Sequence, residues 1–99
     1  MKIKFYYPNK DKQGNPIDQD KINEYKINLV KITGGASEFT CKGYYINEHG
    51  KLLIENTDIL ESFTQVENKD KILSLAHDFK LACNQESVML ELDQEALFI

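Results

Sequence analysis

Two stretches of this chain, 18–33 and 68–83, repeat apolar residues at spacings of three and four, and the other patterned stretches alternate with a period of two. Side chains three or four apart share one face of an α-helix, and those two apart share one face of a strand. A chain that switches period this way has to pack helices onto a sheet, because each element has one apolar face to bury. Residues 2–7 (KIKFYY) put Ile3, Phe5 and Tyr7 on one side and Lys2, Lys4 and Tyr6 on the other, a half-buried strand that Pro8 stops. The polar run 8–17 holds two prolines and a glycine and reads as a loop. The first helix opens at Asp18 or Asp20 with Ile17 as a hydrophobic staple. It carries Ile22, Tyr25, Leu29 and Ile32 on one face and ends at Gly34-Gly35.

Residues 38–46 (EFTCKGYYI) form a second strand, with Phe39, Cys41 and Tyr45 on one face and Thr40, Lys42, Tyr44 and Ile46 on the other. Asn47-Glu48-His49-Gly50 connects a hairpin. Residues 51–66 return as one long or two short strands, with a bend or bulge expected at Asn56-Thr57-Asp58. Asn68 is placed to cap the second helix, Asp70 sits in its first turn, and Ile72, Leu75, Ala76, Phe79, Ala82 and Cys83 make its apolar stripe. Asn84 ends it, 86–92 form a strand, Asp93-Gln94-Glu95 turn the chain, and Ala96–Ile99 close it. The order βαββαβ predicts a ferredoxin-like α+β two-layer sandwich over 1–99 as a single domain. An antiparallel sheet would carry two helices on one face and a short C-terminal strand.

Gly34-Gly35-Ala36-Ser37, Gly43-Tyr44-Tyr45, Gly50-Lys51-Leu52 with Glu55, the helix Ile72 to Cys83 and Gln85-Glu86-Ser87-Val88 follow one another in a fixed order. In that order the chain, over about residues 29–99, resembles a bacterial family of short proteins known only as a domain of unknown function. Tyr-Tyr stands where that pattern has a Trp in its aromatic pair. The resemblance supports the fold and implies no chemistry.

Several function classes fall away on residue type and spacing. The net charge is −4 and all twelve basic residues are Lys, so clustered phosphate contacts and bidentate Arg readout are both missing. Lys42-Gly43-Tyr44-Tyr45-Ile46 overlaps an RNA-recognition signature, but Tyr45 takes the place of its small residue and Glu48, Glu55, Asp58 and Glu61 surround it. Gly34-Gly35 follows a helix C-terminus, which presents carbonyls, whereas phosphates bind at N-termini. Cys41/His49 and His77/Cys83 have no metal-ligand spacing, so no metal and no cofactor is expected. No apolar run nears 18 residues and no signal peptide is recognisable at Met1–Phe5, so the expected setting is the cytoplasm without a membrane, and both cysteines are read as reduced.

What remains is a surface. An uncovered sheet face carrying Tyr6, Tyr44, Ile46, Ile59 and Phe63 leads to the expectation of a non-catalytic binding or interaction module, acting as a homodimer or on a protein partner, with a small ligand allowed. Tyr6, Tyr44, Tyr45, Glu61, Phe63 and Gln85 are its candidate ligand- or partner-binding residues, and no catalytic residue is assigned. Glu61, between Ile59 and Phe63, is either a solvated rim residue or a desolvated acid. Two alternatives accompany this expectation. One is a phage or mobile-element inhibitor of a host defence system that binds a partner or a nucleotide. The other is a small dimeric ferredoxin-like enzyme using Tyr44, Tyr45, His49 and Glu61 as acid–base groups.

Overall fold

The computed structural model describes Met1–Ile99 and turns each sequence period into the matching element. In chain order these are β1 (Lys2–Pro8), α1 (Gln19–Thr33), β2 (Ser37–Ile46), β3 (Leu52–Phe63), α2 (Lys69–Ala82), β4 (Met89–Leu92) and β5 (Glu95–Phe98), with a 3₁₀ turn over Val66–Asn68. The five strands form one sheet in the order β2-β3-β1-β4-β5, every pairing antiparallel. Two helices on one face of such a sheet make the expected ferredoxin-like α+β sandwich, with β5 added as an edge strand beside β4.

Register decides which side chains meet. Ile3, Phe5 and Tyr7 of β1 pair with Ser62, Leu60 and Asp58 of β3, and Ile3 and Phe5 also pair with Leu92 and Leu90 of β4. This face is covered by Ile22 and Leu29 of α1 and by Ile72, Leu75, Ala76 and Phe79 of α2, all buried. Full burial of each Ile, Leu or Phe side chain among these contributes about 1.5–3 kcal/mol. Phe79 is the aromatic centre, edge-on to Phe5, Tyr7 and Tyr25 at centroid distances of 6.0, 5.1 and 5.4 Å. The Tyr7 hydroxyl donates to the Tyr25 carbonyl at 3.3 Å, so the buried ring keeps its polar tip satisfied.

The ends of α1 follow the sequence. The Asp18 carboxylate accepts from the Asp20 N–H at 3.0 Å, and Gly34 takes the left-handed conformation at φ 90° while its N–H donates to the Val30 carbonyl. A Cβ at Gly34 would meet open space, so Gly34→Ala suffers only from the backbone conformation. That strain is roughly 1–2 kcal/mol, and the urea midpoint is expected to fall with the slope unchanged.

Three local expectations are corrected. Asn68 does not cap α2 with its side chain; its amide donates to the Thr64 hydroxyl at 2.8 Å instead, because the 3₁₀ turn already leads into the helix. β3 is one unbroken strand of 12 residues with no bend at Asn56–Asp58, since both neighbours pair with it in continuous register. Ala82 is exposed and lies outside the buried stripe of α2.

Candidate functional site

The register of β2 on β3 sorts the aromatic residues. Phe39, Cys41, Gly43 and Tyr45 pair with Ile59, Thr57, Glu55 and Leu53, and in β1 Lys4 and Tyr6 pair with Glu61 and Ile59. Cross-strand partners share a face, so Tyr6, Phe39, Tyr45, Ile59, Glu61 and Phe63 lie on the face opposite the helices. Tyr44 and Ile46 do not. They pair with Ile54 and Leu52 on the helix side of the sheet, out where the β2–β3 hairpin runs beyond both helices. Tyr44 and Ile46 are 62% and 69% exposed there. The uncovered surface placed by the sequence on one face is thus divided between two, because a period of two sends adjacent tyrosines to opposite sides.

The central part of the open face is polar and self-paired. The Tyr6 hydroxyl donates to Glu91 Oε1 at 2.6 Å. Burial first, and then the neighbouring Glu91 carboxylate, push the Tyr6 phenol up to about 12. The folded state therefore favours the protonated phenol, and this contribution to stability is present below the ordinary tyrosine pKa and is lost as pH rises through the folded value. Glu61 lies between Lys2 Nζ at 3.4 Å and Lys4 Nζ at 4.0 Å, and Phe63 beside it is exposed. Gln85 is far from both. Its Nε2 donates to the carbonyls of Lys10 at 2.9 Å and Cys83 at 3.1 Å. The six candidate residues therefore do not converge on one site.

A different place does converge. The pairing of β1 with β3 stops at Pro8–Thr57, so the first half of β3 loses its neighbour on that side. The loop after β1 takes the space. It is a small hairpin of its own, with an isolated bridge between Lys10 and Pro16 and Gly14 at φ 83°. Asp11 Oδ1 accepts from the N–H groups of Gln13 and Asn15, both at 2.9 Å. Between this loop and the β2–β3 hairpin lies a cavity of about 490 Å³, less open than the grooves along the helices. Lys10, Asp11 and Lys12 line it from the loop, Tyr45 from β2, His49 from the hairpin turn and Glu55 from β3.

Glu55 is the unusual group of this cavity. Burial pushes its carboxyl above the ordinary range, opposed by the nearby Lys10 backbone N–H and the Lys10 ammonium. A carboxylate desolvated in a cleft beside cations and an aromatic ring is a candidate ligand-binding or acid–base group. Gly43 is the cross-strand partner of Glu55 on β2. Sequence reasoning missed Glu55 because it sits in a polar run, with its burial supplied by a loop more than 40 residues away. Of the predicted site residues only Tyr45 lies in this cavity, together with His49 of the alternative acid–base set.

No protein-family model matches the chain, and no curated protein matches it in sequence. Two solved structures share its fold. One is a phage SAM lyase in complex with S-methyl-5'-thioadenosine, similar over 99% of this chain and 87% of that one, with a TM-score of 0.74 and 17% identity. The other is a phage SAM lyase in the apo state, covering 99% and 86%, with a TM-score of 0.72 and 19% identity. This likeness, spanning nearly the whole chain, corrects the expectation of a non-catalytic binding module, since the proteins that share the architecture are enzymes. At these identities the fold is what is held in common.

Proposed function

We propose that this chain is a SAM lyase, cleaving S-adenosylmethionine to S-methyl-5'-thioadenosine in the cavity around Glu55. The observation that carries the reading is the whole-chain likeness to a phage SAM lyase holding S-methyl-5'-thioadenosine. The chemistry of the cavity supports it. The substrate is a sulfonium and an ammonium cation with one carboxylate, joined to a flat adenine. Glu55 and Asp11 offer negative charge to the cations, Lys10 and Lys12 offer positive charge to the carboxylate, and Tyr45 offers a ring face.

A lyase breaks the C–S bond without water. The nucleophile already present is the substrate's own carboxylate. Its oxygen attacks the γ-carbon and forms a C–O bond while the Cγ–S bond breaks. The electron pair goes to sulfur, giving the neutral thioether and a five-membered amino-lactone. No proton, oxidant or second reactant is needed. The protein has only to hold the chain folded and keep water away, and such intramolecular positioning is worth several orders of magnitude. Positive and negative charge cancel in this step, so a site less hydrated than bulk water favours it.

Removing the cell's methyl donor would disable methylation-dependent systems. This agrees with the alternative of a phage or mobile-element antagonist of host defence, acting in the cytoplasm where the substrate is found. Assembly of copies belongs to the same reading, supported by the apolar hairpin end of Tyr44, Ile46, Leu52 and Ile54, all more than half exposed. Light scattering after size exclusion should give a mass above the monomer's 11.4 kDa, and a strict monomer at high concentration would count against assembly.

Binding is tested with the product. S-methyl-5'-thioadenosine at 100 times its dissociation constant stabilises the native state by about 2.7 kcal/mol. The melting temperature should rise with product concentration, and an unmoved melting temperature at millimolar product would contradict the assignment of the cavity.

A further inference from the structure

We propose that the free edge of β2 docks a second copy of this chain, β2 pairing antiparallel with β2 about a two-fold axis at Thr40, with Tyr44 of each copy seated in the apolar groove beside α1 of the other. This gives the assembly of copies a surface and rests on that assembly, but not on the reaction in the Glu55 cavity.

β2 is one end of the sheet, so the backbone groups along its outer side have no partner within the chain. The edge is long and regular. Its register against β3 runs unbroken from Ser37–Glu61 to Ile46–Leu52. Bulges, prolines and repeated lysines are what keep such an edge single. This strand has no bulge and no proline, and Lys42 is its one lysine. An edge of this kind invites strand addition, and a two-fold pair occupies it in both copies and closes.

Sequence then selects the register. A two-fold axis normal to the sheet keeps both helix layers on one side and sets residues of the two copies opposite each other on one face. Centred on Thr40, it brings Glu38 of each copy against Lys42 of the other, and Phe39 against Cys41. Lys42 is exposed and forms no ion pair within its own chain. Glu38 gives only Oε1 to Lys26, which leaves its second oxygen for Lys42 of the other copy. Two ion pairs across the axis result. Centred on Cys41 instead, Glu38 would face Tyr44, and centred on Lys42 two ammonium groups would oppose each other at a cost.

The same register brings together two apolar surfaces that the chain leaves uncovered. It sets Tyr44 of one copy across from Ala36 of the other. Ala36 lines, with Ile27, Val30 and Leu60, a groove of about 510 Å³ between α1 and the start of β2, and Ile27 is 55% exposed there. Tyr44 and the groove are on the helix side of the sheet in both copies. The hairpin end that carries Tyr44 is bare of helix, so it fits beside α1 of the second copy without displacing anything. The open face offers a partner less, because Tyr6 and Glu91, and Lys2 and Glu61, already satisfy each other across its centre.

Cross-linking reads the register. Opposed residues of antiparallel strands have Cα atoms about 4.5–5.5 Å apart, within reach of a disulfide. Thr40→Cys in a Cys41→Ser background should close to a covalent dimer under mild oxidant. Cys41 of the wild type, offset from its copy by two positions, should not. Light scattering supplies the second arm. Lys42→Glu sets like charges together on both sides of the axis and should raise the dimer dissociation constant about 100-fold, and Tyr44→Ala empties the groove and should raise it about tenfold. Both side chains are exposed in the single copy, so far-UV circular dichroism should show the fold intact. A covalent dimer through Cys41 rather than through Thr40→Cys, or a dimer that neither substitution weakens, overturns this docking mode and leaves assembly through another surface standing. A strictly monomeric wild type overturns both.

Discussion

If the proposed lyase reaction runs in this cavity, Glu55→Gln should lower kcat/KM for S-adenosylmethionine about 100-fold, the size expected when one partner of a desolvated charge pair is removed. KM should rise by at least that factor while kcat holds or rises, because kcat/KM registers only the attraction that survives in the transition state. The sulfonium charge that the carboxylate attracts in the bound substrate disappears as the C–S bond breaks, so the attraction is felt more in the ground state than in the transition state. Fold stability should move the other way. The folded pKa of Glu55 is raised by burial, so its protonated form is the one folding favours. Stability from this group is present below the ordinary glutamate pKa and declines as pH rises through the raised value. At pH 7 the ionised Glu55 is thus a net cost, and Gln removes it. The melting temperature of Glu55→Gln at pH 7 should equal or exceed that of the wild type, and the difference should vanish near pH 4. A stability–activity opposition of this kind is characteristic of a functional group rather than a structural one. A variant with full activity would remove Glu55 from the site.

The second large effect is on stability alone. Phe79→Ala should destabilise the protein by about 3–5 kcal/mol, the range for deleting a buried ring. Phe79 is fully buried and meets Phe5 and Tyr7 of β1 and Tyr25 of α1, so its removal leaves a void where both helices meet the sheet. For a domain of this size each kcal/mol lowers the melting temperature by roughly 4–8 °C, so calorimetry will register the change without difficulty. Phe79→Leu should cost clearly less, since it refills much of the volume. Equal losses for Ala and Leu would mean that the edge-on ring geometry, not the volume, stabilises this part of the core.

The elements were legible in the sequence because their causes are local. Asp18 and Gly34 mark the ends of α1 through capping and a positive φ, and the stripe from Ile72 to Cys83 marks α2 through its spacing. The alternation in KIKFYY identified the buried side of β1, and Ile3, Phe5 and Tyr7 are buried. What the alternation of a strand does not contain is where the sheet's cover ends. Tyr44 and Ile46 face the helix side yet are exposed, because the β2–β3 hairpin outruns the helices. The expectation that they join Tyr6 on the open face failed for that reason.

The cavity was hidden for a related reason. It exists because β1 stops at Pro8 while β3 continues, and because a polar loop fills the vacated edge. Neither Glu55 nor Lys10 carries a local sign of this meeting. Gln85 shows the same limit from the other side. Its place before the last major strand suggests a ligand contact, and the structure ties its amide to the Lys10 carbonyl.

Product analysis tests the proposed SAM-lyase chemistry most directly. The purified protein is incubated with S-adenosylmethionine in ¹⁸O-labelled water, and the quenched mixture is resolved by mass spectrometry. S-methyl-5'-thioadenosine and an amino-lactone should form in equal amounts, neither carrying the label at short times, at a rate well above the spontaneous one. Unchanged S-adenosylmethionine, or label incorporated into the first-formed product, would contradict it.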